Sequence, residues 1–277
     1  MSAAFETAAI VGLGLVGGSI AHDLSMRGVR VRGYDADERQ LADALCSGVV
    51  SDAVRADFTD IAADLIVLAV PVDAAVDVLR RAAPFIGDAR LVTDVGSTKS
   101  RIVGAARELG LGERFVGSHP MAGDHRSGWR SARAGLFDAA RVYLCPAVDQ
   151  PSDALSLAEG LWTGLGAAPE VIAPDEHDRR LAWSSHLPHV AAASLALALA
   201  EAGVPRGDLG PGGRDTTRLA GSSPELWTAI AIENAAELDA ALASMEREVA
   251  SFRRALTHAD AGEVRRRFAA ARKWFAV

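Results

Sequence analysis

The stretch IVGLGLVGGS, residues 10–19, decides the fold of the first half of the chain. Three of its glycines stand in a GxGxxG pattern, directly after an apolar strand-like run and at the start of an apolar helical pattern. Such glycines permit a tight turn and bring backbone N–H groups close to a pyrophosphate, which then lies at the positive end of the helix. The stretch therefore predicts a strand–turn–helix unit that binds a dinucleotide. The predicted contacts in this turn are Gly12, Gly14, Leu15, Val16 and Gly17.

A second strand-like run, VRVRGYD (29–35), ends in Asp35, about twenty residues after the glycine turn. A carboxylate at this place can accept hydrogen bonds from the adenosine ribose hydroxyls and repels a 2′-phosphate. No arginine immediately follows it, so the pattern favours NAD over NADP as the cofactor. Arg32 and Arg39 flank the position and leave NADP open as an alternative.

Short apolar runs alternate with helical patterns up to about residue 172, which is typical of a parallel sheet with crossover helices. The predicted strands cover residues 8–12, 29–35, 64–70, 89–95, 114–118, 141–145 and, more weakly, 169–173. After Pro174 the strand signal stops, and apolar residues recur at three- and four-residue steps. The predicted helices there cover residues 177–203, 224–256 and about 260–275.

This change of periodicity predicts an α/β fold in which a Rossmann-type, doubly wound, mostly parallel sheet is followed by an all-helical domain. The boundary falls near residue 173. We therefore expect an NAD-binding domain over residues 1–173 and a helical domain over residues 174–277.

Composition excludes several classes of function. With 277 residues and 49% hydrophobic side chains, the chain has enough apolar material for one large or two moderate domains. Its net charge of −7 argues against a nucleic-acid surface and against an anionic membrane face. Cys46 and Cys145 lie far apart without a metal-like spacing, which favours a reducing compartment. No basic leader and no uncharged run of eighteen apolar residues occurs, so we expect a cytoplasmic protein without a membrane span.

Loops at the carboxyl ends of parallel strands line the ligand crevice of an open α/β sheet. The segment AVPVDA (69–74) follows the third predicted strand, and we expect Val70 and Pro71 beside the nicotinamide, although Pro71 also suits a strand terminator. The segment DVGSTKS (94–100) follows the fourth, where Ser97 and Lys99 are expected to face the crevice.

The segment GSHPMAGDHRSG (117–128) carries the candidate general base. His119 comes one residue after the fifth predicted strand, and Pro120 restricts its backbone to an extended geometry. An imidazole beside a nicotinamide can take a proton from an alcohol as hydride leaves the same carbon. A structural histidine at a strand end is the alternative. His125, in the same segment, is a candidate substrate contact.

The helical half offers further candidates for substrate binding. His186 and His189 are three residues apart on a predicted helix and so share one of its faces. No third ligand with suitable spacing is evident, so no metal site is predicted, and packing in the core is the alternative for His186. Arg218 carries a planar guanidinium that suits a carboxylate.

One turn before Arg218, the neighbours Arg214 and Asp215 suit a structural ion pair instead. His177 and Asp178 are among the candidate partners of that pair.

Five segments, in this order and spacing, resemble the prephenate/arogenate dehydrogenase family of tyrosine biosynthesis. They are GLGLVGGS, DVGSTKS, GSHPMAG, DEHDRRLAWSSHLPH and GGRDTTRLAGSSPELW, and the resemblance covers nearly the whole chain. It implies NAD-dependent oxidation and decarboxylation of a cyclohexadienol. It further implies that His119 accepts the proton of the ring C4 hydroxyl, that Ser97 orients this hydroxyl, that His189 reaches the substrate and that Arg218 binds a carboxylate. It also implies that the helical domain, residues 174–277, binds substrate and forms a homodimer.

The substrate remains open between prephenate, which has a ketoacid side chain, and arogenate, which has an amino acid side chain. Prephenate-using members of the family often carry an acidic residue two positions after the HPxAG glycine. Here Asp124 is one position after that glycine and His125 is two after. We expect prephenate, with arogenate or an amino-substituted prephenate as alternatives.

Two other classes of protein remain as rivals. A β-hydroxyacid dehydrogenase typically uses a lysine on the first helix after the sheet, where this chain offers histidines and no lysine. A non-catalytic NAD sensor would keep the glycine turn but would have no reason to carry His119 together with Arg218.

Overall fold

The computed structural model describes residues 4–123, 126–148 and 152–276. The chain divides into two compact units. The sheet unit comprises the residues up to Arg180 together with Gly221–Glu233, and the helical unit comprises Leu181–Ala220 together with the chain from Asn234 onward. The domain boundary near residue 173 stays a prediction.

A five-stranded parallel sheet forms the centre of the sheet unit. Its strands are β1 (Thr7–Val11), β2 (Arg30–Tyr34), β3 (Asp52–Ala53), β4 (Leu65–Leu68) and β5 (Leu91–Asp94), in the order β3-β2-β1-β4-β5. The connecting helices are α1 (Leu15–Met26), α2 (Glu38–Cys46), α3 (Val72–Ala82) and α4 (Ser100–Glu108). β4 and β5 are buried along their whole length, which suits the apolar sequence of β4 and of the first half of β5. The strand order reverses between β1 and β4, and the crevice at such a point receives the ligand.

A smaller three-stranded sheet follows. It contains β6 (Val116–Pro120), β7 (Arg141–Pro146) and β8 (Ala168–Val171), with α5 (Asp153–Gly164) between β7 and β8. β7 and β8 are parallel, whereas β6 and β7 are antiparallel. A single parallel bridge between Val92 and Phe115 aligns the start of β6 with β5. β6 therefore runs in the same direction as β5, and its carboxyl end lies on the same side as the crevice.

The helical part of the chain differs in detail from the predicted helices. Its helices are α6 (Pro174–Leu181), α7 (Leu187–Glu201), α8 (Pro211–Thr216), α9 (Pro224–Glu233), α10 (Ala235–Thr257) and α11 (Ala261–Phe275). A wide π-type turn, Ala182–His186, separates α6 from α7 just before Pro188, which cannot continue regular α-helical hydrogen bonding. Asn234 interrupts the helix predicted over 224–256, with φ −112° and ψ 32°. Among the described residues, no helix is both long enough and apolar enough to cross a membrane.

All seven predicted strands are present, and the predicted fold class is confirmed. β3 was not predicted, because its two residues are exposed and carry no apolar run. The fifth predicted strand ends too early: β6 extends to Pro120, so His119 lies inside the strand and not after it. Its backbone is held by pairing with β7 as well as by the proline, and His119 stands opposite Tyr143.

Candidate active site

His119 is the next-to-last residue of β6 and is buried except for 8% of its surface. Its Nδ1 lies 2.9 Å from Nε2 of His177, and the two rings meet edge to face with centroids 5.1 Å apart. His177 lies on α6, is fully buried, and also packs edge-on against the ring of Tyr143 at 5.4 Å. A histidine 58 positions away thus supports the predicted base.

Asp178 completes a chain that we call the histidine relay, His119–His177–Asp178. Its Oδ1 lies 2.8 Å from Nδ1 of His177 and accepts the Lys99 backbone N–H at 2.8 Å, while its Oδ2 accepts the Ser100 backbone N–H at 2.8 Å. Lys99 and Ser100 form the beginning of α4, so the carboxylate also caps the positive end of that helix.

These contacts fix the protonation pattern of the relay. Burial pushes the pKa of Asp178 upward, but the hydrogen bonds from His177, Ser100 and Lys99 outweigh it and hold that pKa below its ordinary value. Burial lowers the pKa of His177, against the opposing effect of Asp178. A charged Asp178 accepts the Nδ1–H of a neutral His177, whose Nε2 then accepts the Nδ1–H of His119. The network therefore assigns the basic lone pair of His119 to Nε2.

The residue before His119 is held from several sides. The Ser118 hydroxyl accepts the Trp162 Nε1–H at 2.9 Å and shares a hydrogen bond with the Thr93 hydroxyl at 2.8 Å. The Ser118 carbonyl accepts a hydrogen bond from Lys99 Nζ at 2.9 Å. Trp162 is fully buried in the core, where its N–H needs such a partner. The fixed position of the imidazole therefore depends on these contacts as well as on Pro120.

Lys99 does not face the crevice, so that expectation is wrong. Its side chain is fully buried and forms an ion pair with Asp94, the last residue of β5. Ser97 lies half-buried in the loop between β5 and α4. Of the two predicted nicotinamide contacts, Val70 is half-buried, and Pro71 is exposed at the N-cap of α3.

The glycine turn fits a pyrophosphate. Gly12 has φ +95°, and a Cβ there would overlap the Ala69 carbonyl. A Cβ on Gly17 would overlap the carbonyl oxygen of Gly12, so both glycines are needed for packing. Gly14 differs: a Cβ there meets no described atom within 4 Å, and Gly14 is the N-cap of α1, where no described side chain caps the helix. Open space beside the uncapped N–H groups of a helix N-terminus is what an anionic group requires.

Asp35 lies just after β2, with a partly exposed carboxylate. One of its oxygens accepts the Leu13 N–H of the glycine turn at 2.7 Å, and the other accepts the Asp37 N–H at 2.9 Å. The Arg32 guanidinium is bonded elsewhere, to the Asp60 carboxylate at 2.6 Å and to the Asp60 carbonyl at 2.5 Å. Arg32 is thus bound to a carboxylate, whereas Arg39 is exposed.

Within the helical unit, His186 is fully buried and its Nδ1 receives a hydrogen bond from the Asn234 amide at 3.1 Å. This arrangement favours a packing role for His186. His189, on α7, is half-buried, and both burial and the nearby charge of Arg218 lower its pKa. Arg218 begins the short turn Arg218–Gly221, and its effect on the pKa of His189 shows that the two side chains lie near each other.

Three other predictions concern Arg214, His125 and a metal site. Arg214 donates to the Leu209 carbonyl at 2.8 Å, and its suggested partners His177 and Asp178 bind His119 and the start of α4. His125 lies outside the described residues. Within the described ranges, no group of three or more histidine, cysteine, aspartate or glutamate side chains is arranged to hold a metal ion.

Comparison with known proteins identifies the family. Residues 20–171 match the family model of the nucleotide-binding domain of prephenate dehydrogenase, and residues 173–270 match the model of its dimerization domain. The chain belongs to the prephenate dehydrogenase family. It is therefore an oxidoreductase, and the predicted family and enzyme class are confirmed.

Three relatives of the prephenate dehydrogenase family illustrate the range of similarity. Prephenate dehydrogenase of Bacillus subtilis is 34% identical, over 97% of this chain and 75% of that protein. The structure of Aquifex aeolicus prephenate dehydrogenase with hydroxyphenyl propionate and NAD+ is 28% identical, with a TM-score of 0.89 over 100% of this chain and 99% of that one. Synechocystis arogenate dehydrogenase is 28% identical, with a TM-score of 0.82 over 96% and 98% of the two chains.

Sequence reasoning missed the roles of His177 and Asp178. They stand in the DEHDRR segment, which the family resemblance included, but nothing in the residue pattern joins them to His119. Their helix and strand β6 are adjacent only in the folded chain.

Proposed function

We propose that this chain is an NAD-dependent prephenate dehydrogenase that oxidises and decarboxylates prephenate to 4-hydroxyphenylpyruvate. The observation that carries the proposal is the histidine relay at the carboxyl end of β6, in the same unit as a glycine turn that fits a dinucleotide. His119 is the proposed base.

The cofactor assignment rests on residues of the glycine turn and of β2. The open space at Gly14 and the uncapped start of α1 suit the pyrophosphate. The Asp35 carboxylate disfavours a 2′-phosphate, and the engagement of Arg32 by Asp60 removes one of the two cations that left NADP open. When bound, NAD+ supplies the acceptor for the hydride that leaves C4 of the substrate.

The proposed reaction needs one basic group of the protein, which accepts a proton from the substrate. His119 Nε2 accepts the proton of the C4 hydroxyl, and the hydroxyl oxygen becomes a carbonyl as the C4 hydride departs. The C1–carboxylate bond then breaks and CO2 leaves, while the electron pair of that bond enters the ring, restores aromaticity and turns the C4 carbonyl into a phenolate. The phenolate oxygen takes up one proton, which balances the proton accepted by His119, and 4-hydroxyphenylpyruvate results. His177 and the charged Asp178 stabilise the imidazolium that forms on His119, which is the role of the buried carboxylate in a serine-protease triad.

Substrate binding is assigned to four side chains. We propose that Ser97 orients the C4 hydroxyl and that Arg218 binds a substrate carboxylate through its planar guanidinium. The charge of Arg218 and burial both lower the pKa of His189, so His189 contacts the substrate as a neutral imidazole. His186 is proposed to support His189 from the core, through its bond to Asn234.

The helical unit is proposed to form a homodimer. Residues 173–270 match a dimerization domain, and the helices of this unit expose large apolar side chains, among them Leu197 at 71%, Leu256 at 67% and Phe268 at 64%. Sedimentation equilibrium should give twice the chain mass, whereas a monomer at micromolar concentration would contradict the assignment. A cytoplasmic location is part of the same proposal.

A four-way assay of NADH or NADPH production tests the substrate and cofactor together. Purified protein is given prephenate or arogenate, each with NAD+ or NADP+. We expect the highest kcat/KM with prephenate and NAD+. A higher value with arogenate would replace the substrate assignment, a higher value with NADP+ would replace the cofactor assignment, and no turnover in any combination would refute the proposed function.

A further inference from the structure

We propose that Lys99, buried with Asp94 beside the histidine relay, is a positioning residue that joins both ends of the relay to the last residue of β5. The inference rests on the proposed function, because it concerns the same base. The Lys99 side chain is fully buried, so the crevice-facing role expected from the sequence is replaced by a role inside the protein.

The contacts of Lys99 reach three parts of the site. Its Nζ donates to the Ser118 carbonyl at 2.9 Å, one residue before His119, and is paired with the Asp94 carboxylate. Its backbone N–H donates to Asp178 Oδ1 at 2.8 Å, at the far end of the relay. One residue therefore sets the position of β6, where the relay begins, relative to the carboxylate where it ends.

Its burial is energetically expensive. The side chains of Lys99 and Asp94 have relative exposures of 0% and 2%. Asp94 Oδ2 accepts from Lys99 and from the Gly96 N–H at 2.8 Å, but Oδ1 is buried without a hydrogen-bond partner among the described residues. Replacing a buried ion pair by apolar side chains is often neutral or stabilising, so stability alone does not account for this pair.

The surrounding backbone is fitted to the pair. A Cβ on Gly117 would lie 3.1 Å from Lys99 Cδ and 3.3 Å from Asp94 Oδ1. A Cβ on Gly96 would lie 3.0 Å from Asp94 Oδ2. The strand that carries His119 and the loop that carries Ser97 thus both approach the pair through glycines, which leaves little freedom for either segment to shift.

The charge of Lys99 also acts on the middle of the relay. The groups that face His177 are His119 from β6, Tyr143 from β7, Asp178 on its own helix, and the Lys99–Asp94 pair. Further out, Glu233 on α9, paired with Arg101, faces Asp178. Lys99 lowers the pKa of His177 more than Asp94 raises it, so the pair as a whole favours the neutral imidazole. A protonated His177 could not accept the His119 Nδ1–H, and the basic lone pair would leave Nε2.

The test uses Lys99→Met and the double variant Asp94→Asn/Lys99→Met, which leaves no uncompensated buried charge if the single variant folds poorly. Arg107→Met is the matched control, because it removes a cation at the other end of α4 that bonds the Ala147 carbonyl at 2.5 Å. Displacement of a catalytic group by about 1 Å costs about 10²-fold in rate, and we expect a loss of that order in kcat for the Lys99 variants. NAD+ affinity and the control's kcat should be unchanged.

Two further readouts separate positioning from general loss of structure. The acid limb of the kcat pH profile should move to higher pH in both Lys99 variants, since His177 becomes easier to protonate. In a His119→Asn background, Lys99→Met should add little further loss, because its effect passes through His119. The inference would be overturned if the losses caused by His119→Asn and Lys99→Met multiplied in the combined variant. It would also be overturned if the Lys99 variants kept wild-type kcat and an unmoved acid limb. A wild-type chain inactive on both substrates would instead refute the proposed function.

Discussion

Replacing Asp178 by asparagine removes the charge at the end of the histidine relay and keeps the size of the side chain. The carboxylate accepts hydrogen bonds from His177 Nδ1, from the Lys99 N–H and from the Ser100 N–H, each at 2.8 Å. An asparagine has a single carbonyl oxygen, so at least one of these donors must face its NH2 group. Whichever way the amide is oriented, either the start of α4 or the tautomer of His177 is disturbed.

The loss of charge sets a lower limit to the effect on rate. From His119 Nδ1 through the ring of His177 to Asp178 the path is roughly 8 Å, and at an effective dielectric constant of about 20 the attraction to an imidazolium is about 2 kcal/mol. This corresponds to about 30-fold in kcat. The wrong tautomer adds to it, and in the serine-protease triad the same substitution costs about 10⁴-fold. We therefore expect kcat for prephenate to fall between these limits, with NAD+ affinity intact.

Steady-state kinetics and NAD+ titration measure the outcome, with Asp175→Asn as control because Asp175 lies exposed on the same helix. A kcat for Asp178→Asn within about 3-fold of wild type would refute the relay, since that is well below the electrostatic limit. Stability gives a second readout. The pKa of Asp178 is held below its ordinary value, so its stabilisation is present at neutral pH and is lost as pH falls through the folded-state pKa. The difference in unfolding free energy between wild type and variant should therefore shrink below about pH 4.

Four further substitutions test the base, the carboxylate contact and the glycine turn. His119→Asn should lower kcat by about 10²- to 10⁴-fold without weakening NAD+ binding, and an unchanged turnover would remove the base assignment. Arg218→Ala should raise KM for prephenate strongly, whereas a change confined to KM for NAD+ would contradict the carboxylate contact. Gly14→Ala should leave the melting temperature unchanged and raise the Kd for NAD+, because a Cβ there meets no described protein atom. Gly17→Ala should lower the melting temperature, because a Cβ there overlaps the Gly12 carbonyl; the opposite pattern would contradict the assigned use of the glycine turn.

Much of the fold was readable from local pattern. Buried parallel strands favour apolar residues, and all seven predicted runs form strands. The predictions failed where the local sequence carries no pattern that distinguishes the structure. β3 is two exposed residues paired with β2, and the break at Asn234 interrupts a sequence that reads as continuous helix.

Some residues of the candidate site were predictable from the sequence and others were not, for the same reason. Glycines and a carboxylate at the ends of strands follow from the requirements of a dinucleotide, which act within about twenty residues and therefore leave a pattern in the sequence. Lys99 was singled out by its place after β5, but the predicted direction of its side chain was wrong, because the position of a long side chain depends on the neighbours packed beside it.

The sequence by itself determined the alternation of strands and helices, the glycine turn, the family and the identity of the proposed base, since each depends on residue types at short, fixed spacing. The tertiary structure alone decided what supports that base. The residues involved come from β6, α6 and the start of α4, and only the packing of these elements brings His119 within 2.9 Å of His177, and Lys99 within 2.8 Å of Asp178 and 2.9 Å of the Ser118 carbonyl. Hydrogen bonds between residues so far apart in the chain leave no periodic pattern in the sequence, because the fold can bring two residues together at any sequence separation.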